Sequence, residues 1–174
     1  MDDDDSKNVP EAHLAALAPR FLAAIQKRGA GQVDAALEAF ADILKTEPRI
    51  AEPRMEIARI YLEMGRLDDA EAEAREAIRI LELGGQWTED LPEHVVLAVA
   101  WALYGEILKE KASSDEVVFG DPAVFTGLIE QSRAAFARAA ELDPTDQNSA
   151  VIAMELGDGA DGLDDEEPEP EPDN

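Results

Sequence analysis

Cysteine is absent from this 174-residue sequence, and there are only 2 histidines. Without a thiol the chain has no disulfide, no cysteine nucleophile and no cysteine-ligated zinc or iron–sulfur site. The histidines, His13 and His94, lie far apart and in no spacing typical of a zinc site. Glycine-rich phosphate loops and serine nucleophile elbows are missing as well. We therefore expect no enzymatic activity, no catalytic residues, no metal site and no cofactor.

Long hydrophobic runs are also missing, since no window of the sequence approaches the roughly 18 apolar residues of a membrane span. The first residues, Met1 followed by Asp2–Asp5, have neither the basic region nor the apolar region of a secretory signal. A cytoplasmic location is the expectation that follows.

Basic residues are few, because 15 Lys and Arg stand against 40 Asp and Glu, which gives a net charge of −25. Neither Asp2–Asp5 nor residues 155–174 include a base, and the central part of the chain is acidic too. Such a chain repels phosphate backbones and anionic lipids, so we expect no nucleic acid and no membrane as partners. Basic proteins gain in encounter rate, although the charge is equally well explained by solubility.

Aromatic residues make up only 5% of the sequence and alanine is abundant, which indicates an all-α protein with close-packed helices. Glycines and prolines divide the apolar residues of helical spacing into segments of ordinary helix length. We predict a disordered acidic N-terminus over 1–10, a helical domain over 11–156 and a disordered, Pro- and Glu-rich tail over 157–174. The predicted helices cover residues 11–29, 33–46, 51–64, 67–83, 91–111, 122–142 and 146–155.

One helical hairpin is used repeatedly. Gly31 precedes Gly65 by 34 residues, and Ala36 precedes Ala70 by the same interval. A third copy is indicated by Trp101, Tyr104, Gly105 and Leu108 in the spacing W-x2-Y-G-x2-L, and by Phe136 and Pro144 further on. Two insertions, within 84–96 and 111–127, separate this copy from the regular pattern. The repeats therefore lie near 17–50, 51–84 and 98–146.

These positions resemble the tetratricopeptide repeat (TPR). The resemblance is carried by Gly-x-x-Asp-Ala-Ala before the second helix of the first unit, by Gly-x-x-Asp-Asp-Ala in the second, and by Ala-Phe-Ala-Asp-Ile-Leu-Lys-Thr-Glu-Pro at the end of the first. It implies antiparallel helical hairpins stacked as a short right-handed solenoid with a C-terminal capping helix. It also implies a non-enzymatic scaffold that binds a segment of another protein in a concave groove.

The resemblance implies which residues line that groove. The alternative for the apolar ones is that they pack against neighbouring helices. Trp87, in the first insertion, is a further candidate for an exposed contact. The candidate groove residues are Phe21, Ile25, Arg28, Arg49, Met55, Arg59, Leu62, Ala102, Glu106 and Lys109.

The expected function is that of an adaptor or chaperone-like module, present as a monomer or weak homodimer, whose partner is another protein. The basic residues among the groove candidates would suit an acidic partner segment. The alternative is an acidic regulator that sequesters a basic partner protein through its charge and its tail. The two differ in their dependence on salt and on residues 157–174.

Overall fold

A computed structural model describes residues 11–85 and 91–161, and within these ranges all regular structure is helical. The all-α prediction is confirmed. The predicted helix ends agree with the structure to within two residues, except at the C-terminus of the last helix, and one short helix was not predicted. The helices are α1 (Glu11–Gly29), α2 (Val33–Thr46), α3 (Glu52–Glu63), α4 (Leu67–Glu82), α5 (Glu93–Ala112), α6 (Asp115–Val118), α7 (Pro122–Leu142) and α8 (Gln147–Asp161).

Three helical hairpins are stacked in chain order. The pairs are α1 with α2, α3 with α4, and α5 with α7; α3 packs on α2, α5 packs on α4, and α8 packs on α7. One buried cluster joins α1, α2 and α3 around Phe40, and a second joins α3, α4, α5 and α7 around Leu81, Ile107 and Leu108. Each hairpin therefore buries its apolar stripe against the next one, as a helical solenoid requires.

The first two hairpins turn through the same local geometry. Gly31 and Gly65 have φ values of 74° and 71°, in the left-handed region that favours glycine. In both turns two backbone N–H groups bond back to the helix: those of Gly31 and Gly65 at 2.9 and 3.0 Å, and those of Gln32 and Arg66 at 2.9 and 2.8 Å. The 34-residue repeat of the sequence is thus also a repeat of backbone conformation.

The third hairpin is larger. Its helices α5 and α7 have 20 and 21 residues, whereas α3 and α4 have 12 and 16. The insertion within 111–127 forms the short helix α6 and the first turns of α7, where Asp121 caps the helix by accepting a 2.9 Å hydrogen bond from the Ala123 N–H. Extra residues are therefore accommodated as added helix, and the antiparallel pairing is kept.

The C-terminal boundary differs from the prediction. Helix α8 continues to Asp161, past residue 156, where the helical domain was expected to end. Gly157 lies against the side chain of Arg133 on α7, so packing continues beyond the predicted end. The expectations for residues 1–10, for Trp87 and for residues 162–174 lie outside the described residues.

Membrane crossing requires a helix that is both long and apolar. Among the helices of residues 11–85 and 91–161, none meets both conditions.

Lys111 ties the end of α5 to the first turn of α4. Its ammonium group donates hydrogen bonds of 2.7 Å to Asp68 and 2.6 Å to Glu71. Burial works against the charged form, but the two hydrogen bonds outweigh it and raise the pKa of Lys111.

Replacing Lys111 with glutamine is expected to lower the free energy of unfolding by about 1–2 kcal/mol, because the partly buried Glu71 loses a charged donor. Since the folded pKa of Lys111 lies above that of the unfolded chain, this contribution is complete below the ordinary lysine pKa. It is lost as the pH rises through the folded value. Urea titrations of both proteins should therefore differ at neutral pH and converge at strongly alkaline pH. Lys109→Gln, at an exposed lysine of the same helix, is the control; equal losses in both variants would contradict the assigned ion pair.

Candidate functional site

The first helices of the three hairpins, together with α8, share one face of the molecule. On this face Arg28 of α1 reaches two glutamates of α3, and a pocket is lined jointly by α3, α5 and α8. We call this face, which extends from Arg28 through Arg59 and Ala102 to Asn148, the groove. It is formed by the helices on which the sequence places the candidate groove residues.

At the α1–α3 end of the groove, the basic residues are engaged in ion pairs. The Arg28 guanidinium is 2.6 Å from Glu56 and also bonds to Glu63, and Arg59 bonds to the other oxygen of Glu56. Burial alone would lower the pKa of Arg28, but its hydrogen bonds to Glu63 and Glu56 and their charges raise it. Arg28 is therefore held between two glutamates, and Arg59 is paired with one of them.

At the other end lies a pocket with a volume of about 300 Å³, which we call the α5–α8 pocket. It brings together four of the predicted residues, which are Arg59, Ala102, Glu106 and Lys109. Its remaining lining residues come from α5, α7, α8 and the turn before α8. They are Val99, Leu103, Phe136, Asp146, Asn148, Ser149 and Ile152.

The apolar candidates have different surroundings. Phe21 is half-buried, with its ring edge-on to that of Phe40 at a centroid distance of 5.5 Å. Ile25 and Leu62 are half-buried against the core. Met55 is only 4% exposed and belongs to the core, so its assignment to the groove surface is corrected: a side chain on α3 at that position points between helices.

Arg49 holds the connection between α2 and α3. Its guanidinium donates two hydrogen bonds of 2.8 Å to Glu47, whose side chain is only 3% exposed, and its backbone N–H donates to the same carboxylate at 3.1 Å. The hydrogen bond to Glu47 raises the pKa of Arg49. Arg49 is therefore committed to a nearly buried carboxylate of its own loop, and it does not line the α5–α8 pocket.

The contribution of α8 was not predicted. Asn148 and Ile152 complete the α5–α8 pocket from that helix, and Val99 adds an apolar side chain that is 40% exposed. The repeat pattern could have indicated that Val99 lines the groove, because Val99 lies one helical turn before Ala102. It included a weaker signal for α8, because this helix follows the third repeat where the first helix of a fourth would stand.

The described residues offer no metal centre. Within residues 11–85 and 91–161, His, Asp and Glu side chains nowhere converge in a group that would hold a metal ion.

Comparison with known proteins identifies the repeat. Residues 27–81, which extend from the end of α1 to the end of α4, match the tetratricopeptide repeat family. The chain contains tetratricopeptide repeats. Among curated protein sequences, none matches this chain.

The fold of the tetratricopeptide-repeat chain is similar to that of a solved structure, the N-terminal domain of stress-induced protein-1 (STI-1) from C. elegans. The TM-score is 0.65, and the match covers 85% of this chain and 99% of that one. The sequence identity is 11%, so the likeness concerns the fold. The predicted solenoid of TPR hairpins is confirmed, and this fold is one that serves protein–protein interaction.

Proposed function

We propose that this protein is a non-enzymatic adaptor, chaperone-like in its action, which holds a segment of one partner protein in the groove. The α5–α8 pocket carries the proposal. It is a concave feature on the face where the first helices of the repeats meet. Side chains of α3, α5, α7 and α8 line it. Its apolar lining would exclude water from a bound side chain, and its polar rim would orient the chain that carries it.

Filling the pocket tests the proposal. Ala102→Arg places a long side chain in the α5–α8 pocket, and Ala72→Arg, on an exposed position of α4, is the matched control. A third protein ends after Asp161 and so lacks the acidic tail while keeping α8. Each is used as bait in a lysate of the native host, and the bound proteins are quantified by mass spectrometry.

If the partner binds in the groove, the Ala102→Arg bait should capture at least about 90% less of a partner that the other two baits retain. A loss of that size corresponds to binding weakened about tenfold, or by about 1.4 kcal/mol. Circular dichroism must show that both arginine variants are folded. The opposite result, a partner lost with the tail and kept by Ala102→Arg, would refute groove binding. It would favour the alternative, an acidic regulator that sequesters a basic partner. The net charge of −25 supports that alternative.

A further inference from the structure

The charges of the groove are unlike those expected from its sequence. Three basic residues face it, which by themselves would suit an acidic ligand. Arg28 and Arg59, however, are bound to Glu56, and Arg28 is bound to Glu63 as well. A carboxylate that approached these arginines would have to compete with two glutamates already in contact with them.

The remaining charges of the groove lie around the α5–α8 pocket. Exposed Lys109 is accompanied there by exposed Glu106 and by Asp146. Asp146 is fixed as the cap of α8, because it accepts hydrogen bonds of 2.5 Å from the Ser149 hydroxyl and 3.2 Å from the Ser149 N–H. Its carboxyl group therefore lies at the same pocket as Lys109.

Acids outnumber bases along this face. The groove's cations are Arg28, Arg59 and Lys109, and the acids beside them are Glu56, Glu63, Glu106 and Asp146. The net charge of −25 adds a negative field, which at physiological salt is largely screened at distances greater than about 8–10 Å. A ligand with Lys or Arg side chains is thus favoured over an acidic one both in its approach and at the rim of the pocket.

Apolar side chains line one part of the same pocket. Val99 is 40% exposed into solvent, Leu103 and Phe136 are buried, and Ile152 closes the pocket from α8. The volume of about 300 Å³ is at the lower end for a ligand pocket, which suits one or two side chains of a larger ligand. Covering exposed apolar surface of this kind with a side chain of the ligand stabilises the complex.

From these two features we infer that the occupant is a basic amphipathic segment of a partner protein. One apolar side chain of the segment enters the α5–α8 pocket, and flanking Lys or Arg side chains face Glu106 and Asp146 at its rim. The inference rests on the proposed function and specifies the chemistry of its partner. It replaces the acidic segment that the sequence alone suggested.

Synthetic peptides of about 15 residues, long enough to form helix on binding, serve as probes. One is built from Leu and Lys with an apolar and a basic face, a second has Glu in place of Lys, and a third has Ser in place of Leu. Binding to the full chain is measured by fluorescence anisotropy at low and physiological salt. We expect the Leu/Lys peptide to bind at least about tenfold more tightly than either of the others.

Charge variants of the protein test whether the bound segment is basic or acidic. Glu106→Gln is expected to weaken the Leu/Lys peptide about two- to fivefold, because a partner of the peptide's lysines is lost. Lys109→Gln is expected to strengthen binding of the same peptide by a similar factor, because the repulsion between Lys109 and the peptide's lysines is removed. An acidic ligand would show both effects with the opposite sign. Both residues are exposed, so neither change is expected to disturb the fold.

A second pair of variants locates the binding. Val99→Ser should weaken the Leu/Lys peptide about tenfold, whereas Leu83→Ser, at an exposed leucine at the end of α4, should leave it unchanged. Removal of residues 162–174 should also leave it unchanged. Equal binding of the Leu/Lys and Ser/Lys peptides, lost on tail removal, would overturn the inference, since charge alone would then explain it.

The outcomes separate this inference from the proposed function. If the Leu/Glu peptide binds best, depends on Val99 and is weakened by Lys109→Gln, the groove binds protein segments but the basic chemistry is wrong. If no peptide responds to Val99→Ser or to Ala102→Arg, the groove is not the binding site, and both statements fail.

Discussion

An alanine in place of Phe40 is expected to lower the free energy of unfolding by about 3–5 kcal/mol. The Phe40 side chain is fully buried in the cluster that joins α1, α2 and α3, where its ring meets that of Phe21. Its removal would leave a cavity among three helices and take away the contact that holds the first hairpin to the second. Since domains of this kind are stable by about 5–15 kcal/mol, the urea midpoint followed by circular dichroism should fall sharply.

Phe119 provides the matched control for this prediction. It directly follows α6 and is 83% exposed, so Phe119→Ala removes the same atoms from water. Its effect on the free energy of unfolding should stay within about 0.5 kcal/mol. Similar losses in both variants would contradict the packing of the first hairpin.

The bounds of the first two hairpins could be predicted because local chemistry determines them. Gly31 and Gly65 adopt positive φ at the turns, which glycine does without a steric cost, and the apolar spacing between them is helical. Phe40, which lies at helical spacing from the buried Ala36 and Ile43, is likewise buried. In these hairpins each residue's own preference agrees with the tertiary structure.

The ends of α5 and α7 in the third hairpin were also predicted to within two residues, and only the short helix α6 was missed. The end of α8, in contrast, depends on a contact that a local pattern does not report. Helix α8 continues through Gly157, a poor helix former, at the point where it lies against the Arg133 side chain of α7. Helix propensity is a weak preference that such a contact overrides.

The groove shows the same limit at the level of side chains. Four residues that repeat register assigns to the groove, Arg59, Ala102, Glu106 and Lys109, line one pocket. The register did not report how deep a side chain lies or what it pairs with. Met55 therefore proved to be buried, and the arginines proved to be neutralised by glutamates on α3. Charge pairing across helices depends on distances that sequence spacing alone does not give.

Replacing Gly105 with alanine is expected to lower the free energy of unfolding by about 1–3 kcal/mol, although alanine is the better helix former by about 1 kcal/mol. Gly105 lies on α5 directly against α7. A Cβ atom there would be 2.9 Å from the Phe136 ring, and the Gly105 carbonyl accepts a 2.7 Å hydrogen bond from the buried Ser132 hydroxyl. Because Phe136 is itself buried in the hairpin, the overlap can be relieved only by a shift of its ring or of the two helices.

Gly127→Ala, on α7, is the control, because a Cβ atom there meets nothing within 4 Å. That variant should gain about 0.5–1 kcal/mol from helix propensity alone. The same chemical change is thus expected to act with opposite signs on the two helices of one hairpin, as measured by urea denaturation. A gain in both would mean that propensity outweighs packing at Gly105, and it would contradict the close crossing of α5 and α7. Glycine in the W-x2-Y-G-x2-L spacing is then required by the helix opposite it.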